Sequence, residues 1–312
     1  MRSLACRAGA LALCALTVPV AARQSAPPRT QIVMLGTGTP IPDPDRAGPA
    51  TAIVVDSVAY LFDAGVGVVR RAAAAGRAGV AAFAGLIAGA QPNPRFDRIF
   101  ITHLHSDHTM GLADAIFTPW IQGRRQPVDI YGPPGLAHFV SSTLDAYTED
   151  INERINSAGG PSREGWKAVA HEVNPGEVFK DARITVHAFR VQHSQWPNAY
   201  GYRIDTPDRS IVISGDTRES DAVAEACNGC DVLIHEVYSD SGFTLVAPAR
   251  QQYHAEAHTS ATAVGRVATK GRAKMVILTH VLLFGSTEDK LLREVRSTYA
   301  GRAVVAHDLD RY

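Results

Sequence analysis

The segment that most constrains the fold is residues 102–108, Thr-His-Leu-His-Ser-Asp-His, which directly follows the apolar run 99–101. It places three imidazoles and one carboxylate at the end of a predicted strand, so that several nitrogens and one oxygen can point at one place. These four side chains are His103, His105, Asp107 and His108. Neutral imidazole and carboxylate are ligands that Zn²⁺ and similar divalent metals prefer. No thiolate takes part, which favours an open, catalytic metal site over a closed structural one.

This pattern resembles the signature of the metallo-β-lactamase superfamily, and the resemblance extends from Gln31 to Tyr312. Residues 35–40, Leu-Gly-Thr-Gly-Thr-Pro, and residues 102–112 resemble its ribonuclease Z and arylsulfatase branch. The resemblance implies an α/β fold, a four-layered αββα metallo-β-lactamase sandwich in a single domain. Periodicity alone predicts only a mixed α/β domain. Prolines, and not a helix, follow the Gly-x-Gly of residues 36–38, so no dinucleotide cofactor is predicted there.

Three more candidate ligands, His193, Asp216 and His280, each stand after a predicted apolar strand. One such residue alone is more often an ordinary polar side chain, but three in the superfamily's order favour a metal site. By resemblance, seven residues hold two divalent metal ions: His103, His105 and His193 hold the first, and Asp107, His108 and His280 hold the second, with Asp216 bridging. Zn²⁺ is the expected metal, although Mn²⁺ and Fe²⁺ accept the same ligands. Such a pair of ions can lower the pKa of a shared water toward neutrality.

Two residues are predicted to take part in catalysis. Asp107 is expected both to ligate a metal and to orient the attacking water as a base. His258, followed by Thr and Ser, resembles the histidine of a His-Ser-Thr segment that in the ribonuclease Z branch donates to anionic oxygens of the substrate or to the leaving group. The alternative is a histidine that only precedes the next helix. Asp63 is expected to orient a ligand or a metal-loop amide, and Glu236 to hydrogen-bond to His258.

Aromatic residues near these positions predict a pocket for an aryl group. Trp196 lies three residues after His193, and Phe284 ends the apolar segment 281–284 that comes after His280. Trp120 is expected to pack in the core. Four further histidines have no motif around them and are predicted to be core or surface residues: His171, His187, His254 and His307.

Together these residues predict a hydrolase of anionic esters, and the favoured substrate is an aryl sulfate or a phosphodiester, as in an arylsulfatase. The alternative is a ribonuclease Z-like tRNA 3′ endonuclease. Such enzymes carry a long arm between the residues matching His193 and Asp216, and here the interval is only 216 − 193 = 23 residues. The segment after His280 also departs from that family. A β-lactamase or lactonase type of hydrolase and a non-enzymatic zinc-binding module are less favoured.

The N-terminal residues predict export. Residues 1–22 begin with basic residues, continue with an apolar run too short to span a membrane, and end in small residues at Ala22. This order is typical of a signal peptide. Residues 23–30 are predicted to be a disordered lead-in and residues 31–312 the hydrolase domain, located in the periplasm or secreted.

The net charge of the chain argues against a nucleic acid as its partner. The chain has 31 basic and 31 acidic residues, and removal of residues 1–22 leaves 31 − 2 = 29 basic residues against 31 acidic ones. A balanced surface does not attract polyanions by itself. The predicted partner is a small-molecule anionic ester, with no nucleic acid, no membrane after signal cleavage and a possible homodimer. Cys227 and Cys230 would remain, either as a short-loop disulfide or as two inert thiols.

Periodicity also predicts the main elements. Helices are expected over residues 68–90, 111–122 and 136–155. Strands are expected at the apolar runs 32–35, 51–55, 58–62, 99–101, 129–131, 184–189, 199–204, 211–213, 231–235 and 274–278.

Overall fold

A computed structural model describes residues 29–86, 96 and 98–312, which form strands and helices in alternation. The described strands are β1 (Thr30–Gly36), β2 (Ala50–Val55), β3 (Val58–Phe62), β4 (Arg98–Phe100), β5 (Val128–Gly132), β6 (Ala168–Glu172), β7 (Gly176–Lys180), β8 (Thr185–His193), β9 (Trp196–Asp205), β10 (Ser210–Ile213), β11 (Val232–Tyr238), β12 (Met275–Leu282) and β13 (Arg302–Val305). The described helices are α1 (Val68–Arg77), α2 (Ser106–Thr109), α3 (Leu112–Ile121), α4 (Leu136–Ala146), α5 (Thr148–Asn156), α6 (Asp221–Cys227), α7 (Asp240–Phe243), α8 (Pro248–Ala257), α9 (Ala261–Lys270) and α10 (Glu288–Arg296).

Two sheets form the centre of the fold. One contains β1 to β6 in sequence order, and the other has the order β13-β12-β11-β10-β9-β8-β7. Strands β3 to β6 run parallel to one another, and so do β10 to β13. The carboxyl ends of parallel strands lie at one edge of a sheet, which is where ligands bind in such folds. The segments that come after β3, β4 and β10 meet at this edge.

Three hydrophobic clusters account for the layers. The middle cluster lies between the sheets and includes Phe62 and Phe100, whose ring centroids are 4.8 Å apart. A second cluster, with Trp120, packs α1, α3, α4 and α5 on the first sheet. A third, with Leu291, packs α6, α9 and α10 on the second sheet. The predicted four-layered αββα sandwich is therefore confirmed, and Trp120 is a core residue as expected.

Several element predictions need correction. The helix predicted over 68–90 ends at Arg77, because Gly79 takes a positive φ of 93° and a short 3₁₀ helix comes next over Ala81–Leu86. The last part of that prediction lies outside the described residues. The helix predicted over 136–155 is two helices that meet at Tyr147. Strands β6 and β7 were not predicted, because they are edge strands whose half-exposed residues carry no clear apolar alternation.

The strand that carries His280 contains a β-bulge. The apolar run 274–278 predicts a strand that ends before His280, but β12 continues to Leu282. Glu236 of β11 pairs with Thr279, and the next residue of β11 pairs with Val281, so His280 is an extra residue without a partner. Its φ of 47° lies in the left-handed region. Bulges re-aim a side chain at the edge of a sheet, and this one turns His280 toward the ends of β4 and β10.

The N-terminal predictions fall mostly on residues 1–28, which lie outside the described residues. Thr30, which is predicted to lie in the lead-in, already belongs to β1. The signal peptide and the export of the chain stay predictions. Cys227 and Cys230 form a disulfide, which is one of the two predicted alternatives. Within residues 29–86 and 98–312, the structure contains no helix with the length and apolar character needed to cross a bilayer.

Candidate metal centre and active site

Three imidazoles meet where the two sheets open. His103 and His105 come after β4, and His193 ends β8. Nε2 of His103 and Nε2 of His193 each lie 3.0 Å from Nδ1 of His105. Burial lowers the pKa of His103 well below its usual value and also lowers the pKa values of His105 and His193. Neutral ring nitrogens at this spacing are suitable ligands for a divalent ion. We call these residues the three-histidine group.

A second group combines two carboxylates with two imidazoles, and we call it the carboxylate group. Its members are Asp107, His108, Asp216 and His280. Nε2 of His280 lies 3.2 Å from Asp107 and 3.4 Å from Asp216. Nε2 of His108 lies 3.4 Å from Asp107 and 3.5 Å from Asp216. Although burial opposes its charge, the imidazoles of His280 and His108 hold the pKa of Asp216 well below its usual range.

Asp216 connects the two groups. One of its oxygens and ring nitrogens of His103 and His108 all lie within 4.8 Å of one another. Asp216 comes just after β10, at the edge where β4 also ends. A carboxylate in this place can offer one oxygen to each side. The structure therefore brings together all seven residues that the sequence predicts as ligands.

The hydrogen bonds around these groups fit a metal site. Nδ1 of His108 lies 2.8 Å from Asp63, while its buried Nε2 makes no hydrogen bond to any residue that the structure describes. Nδ1 of His193 lies 2.7 Å from the carbonyl oxygen of Ala257, which leaves Nε2 for the three-histidine group. Metal-bound histidines are held in this way, with the far nitrogen bonded to a carboxylate or carbonyl. The set of imidazoles and carboxylates suits divalent ions such as Zn²⁺.

Asp63 contacts the metal loop at two points. It comes directly after β3 with a φ of 59°, and its carboxylate accepts a hydrogen bond from the backbone N–H of Thr102 at 2.8 Å. The Thr102 hydroxyl also donates to it and lies 3.0 Å from Nδ1 of His103. Asp63 thus touches His108 directly and His103 through Thr102. Both of the roles considered for Asp63, orienting a ligand and holding a loop amide, have a contact in the structure.

His258 lies beside the carboxylate group with Glu236 behind it. Nδ1 of His258 is 3.2 Å from one oxygen of Glu236, and the other oxygen accepts the N–H of Thr259 at 2.6 Å. Nδ1 of His258 lies 3.9 Å from Asp216. Burial lowers the pKa of His258 to about 4, whereas burial and the charge of Asp216 raise the pKa of Glu236 well above its usual value. Ser260 is the N-cap of α9, and His258 is the residue that follows the last turn of α8.

The two aromatic residues predicted to line one pocket lie in different clefts. The ring of Trp196 is 4.4 Å from that of His105, beside a cleft of about 340 Å³ that Arg190 and Arg218 also line. Phe284 lines a separate cavity of about 520 Å³, which includes His258 and His280. Trp196 and Phe284 therefore flank the site but do not share a pocket.

Some residues of the site are not found from sequence. Thr102 is missed because a hydroxyl in a metal loop gives no pattern of its own. His254 is predicted to be an ordinary core or surface residue, yet it lines the same cavity as His258. The two ring centroids are 5.8 Å apart, with His254 in the last turn of α8 and His258 directly after that helix, and the sequence separation of four is an available signal. His171, by contrast, stacks on Tyr131 away from the site, as expected of a residue without a motif.

Comparison with known proteins decides the family. Residues 59–281 match the family model described as Beta-lactamase superfamily domain. Ribonuclease Z of Mycobacterium bovis (strain BCG / Pasteur 1173P2) is 33% identical over 286 residues, which cover 90% of this chain and 97% of that protein. The chain belongs to the metallo-β-lactamase superfamily. Within it, the chain is a hydrolase of the ribonuclease Z branch, as the motifs predict.

Further relatives agree with this membership. Ribonuclease Z of Mycobacterium tuberculosis (strain ATCC 25177 / H37Ra) is 32% identical, with 90% of this chain and 97% of that protein covered. Two solved structures share the fold. The metallo-β-lactamase fold protein YhfI from Bacillus subtilis has a TM-score of 0.64 at 20% identity and covers 91% of this chain and 99% of its own. Human tRNase Z, short form, has a TM-score of 0.63 at 24% identity, and the match covers 90% of this chain and 98% of the human one.

The prediction that no nucleic acid takes part is wrong. The relatives that align over nine tenths of the chain are ribonucleases by name, which removes the ground for excluding nucleic acid on net charge. Net charge averages over the whole surface, whereas a polyanion responds to the local field. Two arginines, Arg190 and Arg218, and one carboxylate, Glu256, line the cleft beside Trp196, so its formal charge is positive. A near-zero total charge gives no sign of such a cleft.

Proposed function

We propose that the protein hydrolyses phosphodiester bonds in RNA, as a ribonuclease Z-like nuclease that uses two divalent metal ions, Zn²⁺ in the first instance. The ribonuclease Z relatives align with this chain over nearly their whole length, and this similarity is the main support for the proposal. The two ligand groups support the number of ions, because the three-histidine group and the carboxylate group are distinct and Asp216 connects them. These relatives favour the ribonuclease alternative over the arylsulfatase interpretation. The short interval between His193 and Asp216 only indicates that any RNA contact is made without a long arm.

The residues of the chain have separate tasks in this reaction. Metal ions bound in such a site polarise the phosphate and lower the pKa of the attacking water. Asp107, at the rim of the carboxylate group, accepts the proton of that water and fixes its direction. The two ligand groups hold their nitrogens and oxygens in place before the substrate arrives, so little reorganisation is needed during the reaction.

His258 supplies the proton for the leaving oxygen. The buried Glu236 oxygen lies 3.2 Å from Nδ1 of His258, so that one proton is held between these two atoms. The other ring nitrogen, Nε2, then carries an N–H toward the substrate. When this proton leaves, the proton held with Glu236 passes to Nδ1, so that His258 remains neutral throughout. General acid catalysis of this kind contributes about 10²–10⁴-fold to the rate.

The test compares ester classes on one preparation. Residues 29–312 are purified and incubated with a labelled RNA hairpin carrying a 3′ single-stranded extension, with bis-p-nitrophenyl phosphate and with p-nitrophenyl sulfate. We expect cleavage of both phosphodiesters that a chelator abolishes and Zn²⁺ or Mn²⁺ restores. Metal content, measured on the same sample, should be about two ions per chain. An Asp216→Asn variant controls for contaminating nucleases.

Two results would contradict the proposal. Cleavage of the sulfate ester alone would return the protein to the arylsulfatase interpretation. RNA cleavage that persists with Asp216→Asn would show that the nuclease is not this site.

A further inference from the structure

A cavity next to His258 has the properties of a binding pocket for a planar group. Its volume is about 520 Å³, within the range of roughly 300–1,000 Å³ that is usual for ligand sites. His258 and His280 form its inner wall, so it opens directly onto the metal-binding residues. Its other walls come from α8, from the segment before α8 and from Phe284, which lies just beyond β12.

The outer walls are apolar although solvent reaches them. Ile41, Leu245 and Tyr253 line this cavity with exposed fractions of 65%, 73% and 46%. Large apolar side chains that gather around one cavity and stay exposed are typical of a ligand site. No Asp or Glu of the described chain lines the cavity, and Arg250, on its exposed rim, is the one Arg or Lys there.

His254 adds a polar group to this wall. Its side chain is 92% buried, since only 8% is exposed, and its ring centroid lies 4.8 Å from that of Phe284 and 5.3 Å from that of Tyr253. Its Nδ1 makes no hydrogen bond within the described part of the chain. Burial lowers the pKa of His254 to about 4, so the ring is neutral and does not repel the cation of Arg250. The part of the wall formed by His254, Phe284 and Tyr253 is therefore aromatic and uncharged, and Nδ1 of His254 is left for a hydrogen bond with a ligand.

We propose that this cavity, which we call the base pocket, binds the nucleobase of the nucleotide attached to the leaving oxygen, with the ring of Tyr253 as the stacking surface. This inference rests on the proposed phosphodiesterase activity, and it adds where the substrate lies. His258 reaches the leaving oxygen and also lines the base pocket, so the group attached to that oxygen must enter here. A nucleobase has two apolar faces that suit Tyr253 and Phe284. The next phosphate along the RNA carries the negative charge that Arg250 can meet.

Base stacking of this kind tolerates any sequence, because every base presents a π-face. The base pocket is therefore expected to favour nucleotides over their baseless analogues and to discriminate little among the four bases. Tyr253 is a positioning residue, since it binds the substrate's base and does not touch the reacting phosphorus.

The test separates binding from turnover. Calorimetry measures the affinity of adenosine 5′-monophosphate, ribose 5-phosphate and phenyl phosphate for the metal-loaded protein. We expect the nucleotide to bind about tenfold more tightly than ribose 5-phosphate, as stacking on one aromatic ring implies. Tyr253→Ala should abolish this ratio, and Tyr253→Phe should keep it, because the ring and not the hydroxyl carries the effect. Tyr147→Ala is the matched control, since Tyr147 is similarly exposed at 42% and lines none of the cavities described above.

Turnover uses two dinucleotides that differ only in the base of the leaving nucleoside, which is present in one and absent in the other. The base-bearing substrate should have the higher kcat/KM, and Tyr253→Ala should remove that advantage, whereas Tyr147→Ala should keep it. Equal affinity for the nucleotide and ribose 5-phosphate, or a ratio that survives in Tyr253→Ala, would overturn the inference. Phenyl phosphate bound as tightly as the nucleotide would point to a general aryl pocket and overturn it too. A nucleotide preference in a protein that cleaves no phosphodiester would support the base pocket while refuting the proposed function.

Discussion

At the scale of single residues, the site depends on side chains that hold other side chains. Asp63 contacts His108 directly and His103 through Thr102, so one carboxylate reaches both ligand groups. Glu236 holds His258 in a similar way. Neither residue is placed to touch a substrate phosphate. Asp63 bonds the nitrogen of His108 that faces away from the centre, which sets the direction of the other nitrogen, and Glu236 bonds Nδ1 of His258.

Asp63→Asn tests this support for the ligands. An amide cannot accept hydrogen bonds on both of its ends, so either Thr102 or His108 loses its partner. We expect metal affinity to fall about 10–100-fold, as for other residues behind metal ligands, with the fold retained. Competition with a chromogenic chelator measures this affinity. Asp129→Asn is the control, because Asp129 also pairs with a histidine but lies away from the centre; an equal loss there would refute a specific role for Asp63.

Glu236→Gln tests the proton held behind His258. Glutamine keeps the shape and can still accept the N–H of Thr259, but it has no proton to pass to Nδ1 of His258. The expected result is a fall in kcat of about 10²-fold with KM and metal content unchanged. Steady-state kinetics on bis-p-nitrophenyl phosphate and metal analysis give the three values. Exposed Glu225 provides the matched Glu225→Gln control, and a variant that loses metal instead of kcat would show that Glu236 only supports the ligands.

At the scale of elements, strong local patterns in the sequence are enough to predict some parts of the site. Three parts of the site are recognisable because each stands at or just after an apolar strand: the ligand loop after β4, His193 at the end of β8 and Asp216 after β10. The bulge at His280 is not recognisable, because it depends on how β11 and β12 pair over residues distant in sequence. The base pocket is missed for the same reason, since α8 and Phe284 approach each other only in the folded chain. Tertiary pairing, and not local pattern, determines these features.

His235, in the interior of β11, gives the fold a dependence on pH. It is fully buried, its Nε2 has no hydrogen-bond partner among the residues described, and burial lowers its pKa to about 4. The unfolded chain takes up the proton near pH 6.5 and the folded chain only near pH 4. The contribution of His235 to the unfolding free energy is therefore fully present above pH 6.5, and acidification to pH 4 should reduce it by ~3 kcal/mol.

Urea unfolding of metal-free protein at pH 7.5 and pH 5 measures this effect. His235→Gln removes the titrating group, so its loss of stability between the two pH values should be smaller than that of the wild-type chain. His307→Gln, at a half-exposed position, should behave as the wild type does. Equal losses in all three proteins would assign the pH dependence to other groups.

At the scale of the whole molecule, the three hydrophobic clusters and the metal centre are separate. The clusters fill the spaces between sheets and helices, whereas the ligand groups lie at the edge where both sheets end. Properties averaged over the whole chain, such as net charge, are consequently poor predictors of the site. The zero net charge leads to a wrong prediction about nucleic acid, while the local motif of residues 102–108 leads to the right family.

Removal of the metal ions tests whether the metal centre has a catalytic or a structural role. Because the cores do not include the ligands, the metal-free protein should keep its far-ultraviolet circular dichroism and a cooperative thermal transition, but lose all phosphodiesterase activity. Its midpoint temperature should be lower, since ligands that bind only the folded state add RT ln(1 + [L]/Kd) of stability. Adding Zn²⁺ should restore both midpoint and activity, and Asp216→Asn should gain less from the metal. A metal-free chain that unfolds altogether would instead support the zinc-stabilised module, in which the ions hold the two sheets together and catalysis is secondary.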